Sequence, residues 1–452
     1  MTRTGARLFM AVAMIGILLA SGGARAWPAA TFPLSVSPDR GHLLDGEGRP
    51  FLIVGDAAWS LMAQLRKEDA EMYLEDRKAR GFNALLVNII EHRFSSNPPA
   101  NAYGERPFVG AAFDEPNAAY FDHVEWVLRR AESMGVAVFL TPAYVGVGGG
   151  GQGWYAEMRA AGPERLRAYG LYLGRRFGGL KNIIWTQGGD ADAPDPALVS
   201  AIAEGIRAAD PGALQTVHSR RDTVTAAAWA DAPWLDLDTA YTYDDVFEAV
   251  ARQKRDRFDL PVILIESLYE NEHGTTEQTL REAAYGAIMA GAAGYVFGNN
   301  PIWHFSSGGL FDAPRGWKGA LSGAGSVGVS DMRAFFEPLA WWTLEDDADD
   351  ALCGWRAKLG GLKCAIARDG GFGVAYAPRG GAVRVRTGAL AGGAICATWY
   401  DPRDGVRRPA SEAPVVHGED LVARPPQPRS FGVFRDWILL LAACGDGTVV
   451  AR

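Results

Sequence analysis

Between Phe51 and Trp342 the chain repeats one pattern eight times, a short apolar run followed by a stretch with helical spacing. No other feature constrains the fold as tightly. The runs are FLIVGD (51–56), NALLVNII (83–90), VAVFLTP (136–142), NIIWTQ (182–187), LQTVHS (214–219), LDLDTAYTY (235–243), PVILIES (261–267) and YVFGNN (295–300). Their β-branched and aromatic content predicts strands. Helices are predicted over 67–81, 119–135, 163–179, 196–209, 222–230, 244–257 and 276–294, with a last one near 330–343. Strands apolar on both faces and separated by helices form a parallel sheet covered from outside. Eight such units predict an α/β fold, a (β/α)8 TIM barrel over residues 32–345. A doubly wound open sheet is the alternative. Against it, no G-x-G-x-x-G follows the first run, and no P-loop occurs.

Beyond about Asp350 the helical spacing stops. Short runs such as CAIARD, FGVAYAP, AVRVRTG and ICATWYDP, split by Gly, Pro and Asp, predict a small β-sandwich over 350–441. At the other end, Arg3 and Arg7 precede an apolar stretch from Leu8 to Ala20, and Ala24-Arg25-Ala26 forms an A-x-A site. Residues 1–26 therefore read as a signal peptide, and the protein is expected in the periplasm or outside the cell. No Cys follows the A-x-A site, which disfavours a lipid anchor there. No later segment is long and apolar enough to span a bilayer.

Removing Arg3, Arg7 and Arg25 takes the formal net charge from −8 to −11. An acidic surface disfavours nucleic acid and anionic membranes but not polysaccharide. All four cysteines come late, at Cys353, Cys364, Cys396 and Cys444. In an exported chain Cys353 could pair with Cys364 and Cys396 with Cys444; free buried thiols are the other reading. The seven histidines show no metal-ligand spacing, so neither a catalytic metal nor another cofactor is expected. Nothing in the sequence specifies an oligomeric state.

In a barrel of this kind chemistry sits at the C-terminal strand ends. There the sequence places Asp56 and Trp59, then Asn88, Glu91 and His92, then Tyr144. Further along come Asp190, His218, Tyr241 and Tyr243, Glu266, Tyr269 and Glu270, and finally Asn299, Trp303 and His304. Aromatic faces stack on sugar rings, and carboxylates and amides bind hydroxyls. A carboxylate pair on strands four and seven, Asp190 and Glu266, supplies what glycosidic cleavage needs, a general acid and a nucleophile. Gly188 and Gly189 would let a sugar approach the backbone closely. Each of these residues also has a plainer reading. Asp56 could be a turn residue, Trp59 core, and His218 a satisfied buried histidine. Glu270 could merely orient a neighbour, and Asp192 to Pro196 could cap the next helix.

FLIVGDAAWSL, EDRKARGFNAL, YFDHVEWVLRRAESMG, YGLYLGRRFGGLKNIIWTQGGD, AWADAPWLDLD and FGNNPIWHF together resemble the apiosidase-like glycoside hydrolase family, over about Phe32 to Leu440. The resemblance implies a catalytic barrel with a C-terminal β domain that carries a collagen-binding label. It also implies a retaining mechanism. The family's W-x-x-G-G-D maps onto Trp185, Gly188, Gly189 and Asp190, the acid/base. Its G-E-P-x-Y-E reads here as Ile265-Glu266-Ser267-Leu268-Tyr269-Glu270, with Glu266 as nucleophile. Its G-D-T-A-W reads Gly55-Asp56-Ala57-Ala58-Trp59. Ser267, Leu268 and Ala57 depart from the pattern at positions expected to line or support the pocket, which bears on which sugar is cleaved.

The expectation is an exported glycoside hydrolase cutting an apiosyl or other furanosyl linkage in a polysaccharide or oligosaccharide. Asp190 and Glu266 are catalytic. Asp56, Trp59, His218, Tyr243, Glu270, Asn299 and Trp303 bind substrate. The alternative is a non-catalytic carbohydrate- or matrix-binding protein, in which that pair would not meet. A lyase using Tyr243 or His218 as base is a third reading. It needs a basic cluster to neutralise a uronate, and the strand ends are rich in acids instead.

Overall fold

The computed structural model describes residues 27–256, 259–306, 312–355, 359–430 and 433–444. The expected signal peptide, 1–26, lies outside them. The eight predicted runs form eight strands: β1 Ile53–Ala57, β2 Ala84–Asn88, β3 Ala137–Thr141, β4 Ile183–Gly188, β5 Leu214–His218, β6 Asp238–Tyr241, β7 Val262–Glu266 and β8 Gly294–Phe297. They are hydrogen-bonded in the order β5-β4-β3-β2-β1-β8-β7-β6, every pair parallel. That is the strand order of a barrel opened between β5 and β6. Two threonine hydroxyls and a backbone bond close this seam. Thr216 Oγ1 donates to Leu237 O at 2.8 Å, Thr239 Oγ1 donates to Val217 O, and Asp236 N donates to Gln215 O at 2.9 Å.

The helices follow the strands: α1 Lys67–Ala79, α2 Ala118–Ser133, α3 Tyr155–Phe177, α4 Pro196–Ala209, α5 Thr225–Ala228, α6 Val246–Arg255, α7 Glu277–Met289 and α8 Ala324–Phe336. The spacing placed α3 from Pro163. Residues 155–161 form an earlier helix that breaks at Gly162, where φ is 74°, and Pro163 starts the second. The helix expected near 330–343 ends instead at Phe336, and Trp341–Thr343 is a single 3-10 turn.

Every residue of β1, β2, β3, β4, β6, β7 and β8 is buried, and alternate side chains go to opposite sides. Ile53, Leu86, Phe139, Ile184 and Ile263 fill the barrel, while Val54, Leu264 and Tyr295 face the helices. A small antiparallel sheet of Ser35–Val36, Leu43–Leu44 and Pro50–Phe51 brings Leu34, Leu43 and Phe51 against the barrel core, beside the strand starts.

The C-terminal part begins with β9 Leu344–Asp346, joined by β10 Lys363–Ala367, β11 Phe372–Ala377, β12 Ala394–Tyr400, β13 Arg407–Pro409 and β14 Trp437–Ala443. They form an antiparallel sheet in the order β9-β10-β11-β14-β12-β13, with Val415–Val416 added to β12. The second layer is only a ribbon, Val383–Arg386 paired with Asp420–Ala423. Strand β14 explains its own composition. Ile438, Leu440 and Ala442 pack toward the barrel helices with Tyr285, Phe335 and Phe336, while Trp437, Leu439 and Leu441 face the ribbon with Val383 and Val385. Both faces are buried, so WILLLAA carries no polar residue. Asp436 fastens the two parts. It accepts from Arg281 Nε of α7 at 2.8 Å, from Tyr376 Oη at 2.7 Å and from Arg403 Nη1 at 2.9 Å. Cys353 is bonded to Cys364 and Cys396 to Cys444. Among the described residues no helix is long and apolar enough to cross a membrane, and no cluster of His, Cys, Asp and Glu is arranged to hold a metal.

Candidate active site

Strand β4 ends in three consecutive residues with left-handed backbone: Gly188 (φ 79°), Gly189 (φ 122°) and Asp190 (φ 52°). Both glycines are required by the protein itself. A Cβ on Gly189 would lie 2.3 Å from the ring of Tyr144, and one on Gly188 would lie 2.9 Å from His218 O. The chain must turn sharply under Tyr144 to bring Asp190 back over the barrel. Asp190 itself is a non-glycine residue in the left-handed region, and such strain gathers at functional sites. The turn is held by Asp190 N, which donates to His218 Nδ1 at 3.0 Å.

Glu266 reaches the same place by a different device. Leu264 faces the helices, so simple alternation would send Glu266 outward as well. The pairing with β6 slips instead. Ala240 is opposite Leu264, but Tyr241 is opposite Glu266, so Ile265 is an extra residue on β7. Such a bulge re-aims the side chain that follows it. Glu266 Oε2 thereby meets His218 Nε2 at 2.8 Å.

His218 is fully buried behind Glu266. With Nδ1 accepting from Asp190 N, the ring proton sits on Nε2 and is donated to Glu266. A second proton would turn Nδ1 toward Ser219 O, 3.2 Å away. Burial works against that proton, but the bond to Glu266 and the charges of Glu266 and Asp190 raise the His218 pKa above its usual value. Asp190 is pushed up to about 6, first by burial and next by the charge of Glu266, with His218 and the tyrosine hydroxyls opposing. Tyr144 Oη donates to Asp190 Oδ2 at 3.4 Å.

Asp190 and Glu266 line one pocket of about 150 Å³. Its walls carry Trp59, Phe94, Tyr144, Tyr243, Tyr269 and Trp303. Asn88, Gln152 and Glu272 supply further polar groups. Of the residues expected to bind substrate, Trp59, Tyr243 and Trp303 stand in this pocket. Trp59 Nε1 donates to Tyr269 Oη at 3.0 Å, which fixes the ring against the barrel mouth. Beyond Asp190 the space opens into a chamber of about 590 Å³ bordered by Val147, Arg220, Arg221 and Tyr241. These two arginines are the nearest thing to the basic cluster that the lyase reading required. Arg220 is paired with Asp192 at 3.1 Å, and Arg221 lies 4.8 Å from the centre of the Tyr243 ring.

Four expected residues stand elsewhere. His218 reaches Glu266 but does not border the pocket. Asp56 is fully buried and points into the helical layer, where its Oδ2 accepts from Tyr73 Oη at 2.8 Å and from Arg77 Nη1 at 3.3 Å. Asn299 is likewise fully buried, and its Nδ2 donates to Glu270 Oε2 at 2.6 Å. Glu270 Oε1 accepts from Gly325 N of α8 at 3.0 Å. Glu270 and Asn299 thus lock β8 to the first turn of α8. The next aspartates differ from one another. Asp192 accepts from Arg220 and Thr223, and Asp195 stands at the N-cap of α4 without a side-chain capping bond. Nor do the departures from the family pattern touch the pocket. Leu268 and Ser267 border a separate hollow of about 290 Å³, and Ala57 lies in the barrel core. The sequence reading named none of Phe94, Val147, Gln152 and Glu272 as site residues; Val147 opens a 3-10 turn and the other three lie in loops. For Glu272 a signal existed, an acid three residues past Tyr269 and close beyond a strand end.

A larger cavity, about 920 Å³, lies beneath the barrel near Asp238 and the C-terminal sheet, far from this pair. Two of its arginines are matched by acids, Arg255 with Asp346 at 2.7 Å and Arg368 with Asp39 at 2.9 Å.

Residues 37–343 match the model of the apiosidase-like catalytic domain, and residues 357–442 match a model described as "Putative collagen-binding domain of a collagenase". Among solved structures, one entitled glycoside hydrolase superposes with a TM-score of 0.79 at 24% identity, over 92% of this chain and 98% of that one. A family 5 glycoside hydrolase from Bacteroides vulgatus superposes with a TM-score of 0.81 at 21% identity, over 92% and 95%. Identities this low establish a shared fold. No curated protein matches the chain.

Proposed function

The chain belongs to the apiosidase-like family of glycoside hydrolases, and from that premise we propose that it is an exported, retaining hydrolase that releases an apiosyl or other furanosyl residue from a polysaccharide. Asp190 acts as acid/base and Glu266 as nucleophile. Glu266 attacks the anomeric carbon while Asp190 protonates the departing oxygen. A water then enters, Asp190 takes its proton, and the glycosyl–Glu266 ester is released. The observation that carries this reading is the meeting of the two carboxylates in one aromatic pocket. Asp190 is held up to about 6 and Glu266 is bonded to His218. One acid can therefore keep its proton while its neighbour stays available for attack. A purely binding protein has no use for that pair.

Export draws support from the leader-like start and from the two disulfides, which persist in oxidising compartments. The C-terminal sheet is read as a brace for the barrel, since it packs on α7 and α8 through a continuous buried core.

The experiment is reducing-sugar release from a polysaccharide panel that includes apiose-bearing pectin, comparing wild type with Asp190→Ala and Glu266→Ala. Loss in both variants with unchanged folding supports the pair, and retention in both removes it. Early proton NMR of the product reads the anomer first formed. A product of inverted configuration would sink the retaining mechanism.

A further inference from the structure

Glu272 is a third carboxylate in the pocket, and the hydrolysis just proposed leaves it without a task. It is half-buried and belongs to a tight turn, where Glu272 N donates to Tyr269 O and Thr275 N donates to Glu272 O at 2.9 Å. Trp303 Nε1 donates to Glu272 Oε1 at 2.9 Å. No described residue bonds to the other oxygen, Oε2. Burial raises the Glu272 pKa, and the bond from Trp303 opposes the rise.

The neighbours define what Oε2 can meet. The indole N–H groups of Trp59 and Trp303 are both engaged within the protein, by Tyr269 and by Glu272. What these rings offer a ligand is their apolar faces. Phe94, 5.2 Å from Trp303 and 6.0 Å from Tyr144, joins the two sides of the pocket. Three carboxylates border the pocket, Asp190, Glu266 and Glu272, and no lysine, arginine or histidine does so among the described residues. Two imidazoles stand behind the lining: His218 has its Nε2 on Glu266, and His273, next to Glu272 and 5.7 Å from the Tyr243 ring, acts on Glu272 by its charge without bordering the pocket. The pocket is thus rich in acceptors and lacks a cation. Ring hydroxyls fit it, being donors that a carboxylate binds strongly. A sugar carboxylate does not, because it would face the carboxylates of Glu266 and Glu272 with no cation in the pocket lining to neutralise it.

We propose that Glu272, held by Trp303, selects the sugar that enters this pocket: its Oε2 accepts ring hydroxyls, and its charge bars a ring that carries a carboxylate. The proposal rests on the glycosidase reading of the pocket. It concerns only the ring whose bond is cut, since Arg220 and Arg221 border the adjoining chamber and not this one.

The test is calorimetric titration of the full chain with neutral sugars and with uronic acids. The neutral set is D-apiose, L-arabinose, D-xylose, D-galactose and D-mannose; the acids are D-galacturonate and D-glucuronate. Wild type is expected to bind at least one neutral sugar and to bind both uronates at least tenfold more weakly. Glu272→Ala should weaken the neutral sugar about tenfold or more. Glu272→Gln keeps the shape and removes the charge, and it should narrow the gap between neutral sugar and uronate. Matched melting curves exclude misfolding. The proposal is overturned if a uronate binds wild type as tightly as any neutral sugar. Absence of binding by every neutral sugar overturns it too, as does selectivity unmoved in both variants. No hydrolysis is read here, so the two ideas fail separately. Activity surviving Asp190→Ala and Glu266→Ala removes the catalytic pair, whereas unmoved selectivity removes only Glu272.

Discussion

The ends of β1 and β4 each carry an aspartate pushed up to about 6, the fully buried Asp56 and the half-buried Asp190, and loss of solvent is the main cause at both. Their surroundings differ completely. Asp56 looks outward, where Arg77 ties it to α1, to Ser326 of α8 and to Leu321 O. Asp190 looks over the barrel mouth, beside Glu266, into a pocket large enough for a ligand. Asp238, at the opposite end of the barrel, is also pushed up to about 6 and is held by Ala226 N, Thr239 N and Gln253 Nε2. A displaced titration therefore marks burial, and only the direction of the side chain separates a strut from a proton donor.

The strongest way to break this comparison is to compare activities. Asp190→Ala is expected to lower kcat by about 10²–10⁴-fold, the range of general acid–base catalysis. Asp56→Asn, in protein that remains folded, should leave kcat within a few-fold. Equal losses in the two variants would mean that Asp56 touches the chemistry after all. In wild type the basic limb of the kcat/KM profile should fall near pH 6, as Asp190 loses the proton it must donate. In Asp190→Asn that limb should vanish.

Stability should rank the two sites the other way. Asp56→Ala leaves the Arg77 guanidinium, in a site with no exposure, with Asp76 as its one remaining carboxylate partner among the described residues. Removing one partner of a buried pair costs about 3–5 kcal/mol, measurable by urea unfolding at pH 7. A loss below about 1 kcal/mol would mean that water reaches Arg77. The same reasoning at Asp436, the anchor of the C-terminal sheet, gives a pH signature. Burial acts to raise its pKa, but the bonds and charges of Arg281, Tyr376 and Arg403 hold it below the ordinary value. Its contribution is thus present above the unfolded pKa and is lost as pH falls through the folded one. Asp436→Asn should lower the melting temperature at pH 7 and converge on wild type in strong acid.

The smallest effect sharpens the contrast. The folded Asp190 pKa lies above its unfolded value of 3.8, so ionised Asp190 weighs against folding. That penalty is absent near pH 3 and complete once pH has risen through about 6. Asp190→Asn should therefore be more stable than wild type by about 1–3 kcal/mol at pH 7.5. The gain should disappear near pH 3. A variant destabilised at pH 7.5 would show that the bond from Tyr144 to the carboxylate outweighs the relief of charge.

How the chain reached this arrangement divides cleanly. Eight apolar runs separated by helical spacing were enough to specify the barrel, because a parallel strand covered on both faces leaves no other composition to choose. The change of texture after Asp350 specified the β domain, and the acids closing β4 and β7 stood out because an acid directly after a buried run needs a reason. What the same runs cannot encode is which way each side chain points. With both faces apolar, the period-2 signal is erased, so Asp56 and Asn299 look no different from Asp190 in the sequence. The helical layer claimed the first two, and the bulge at Ile265 turned Glu266 inward. Phe94, Gln152 and Glu272 come from loops without periodicity, and they meet in the pocket only because the closed barrel holds all its strand ends in one ring.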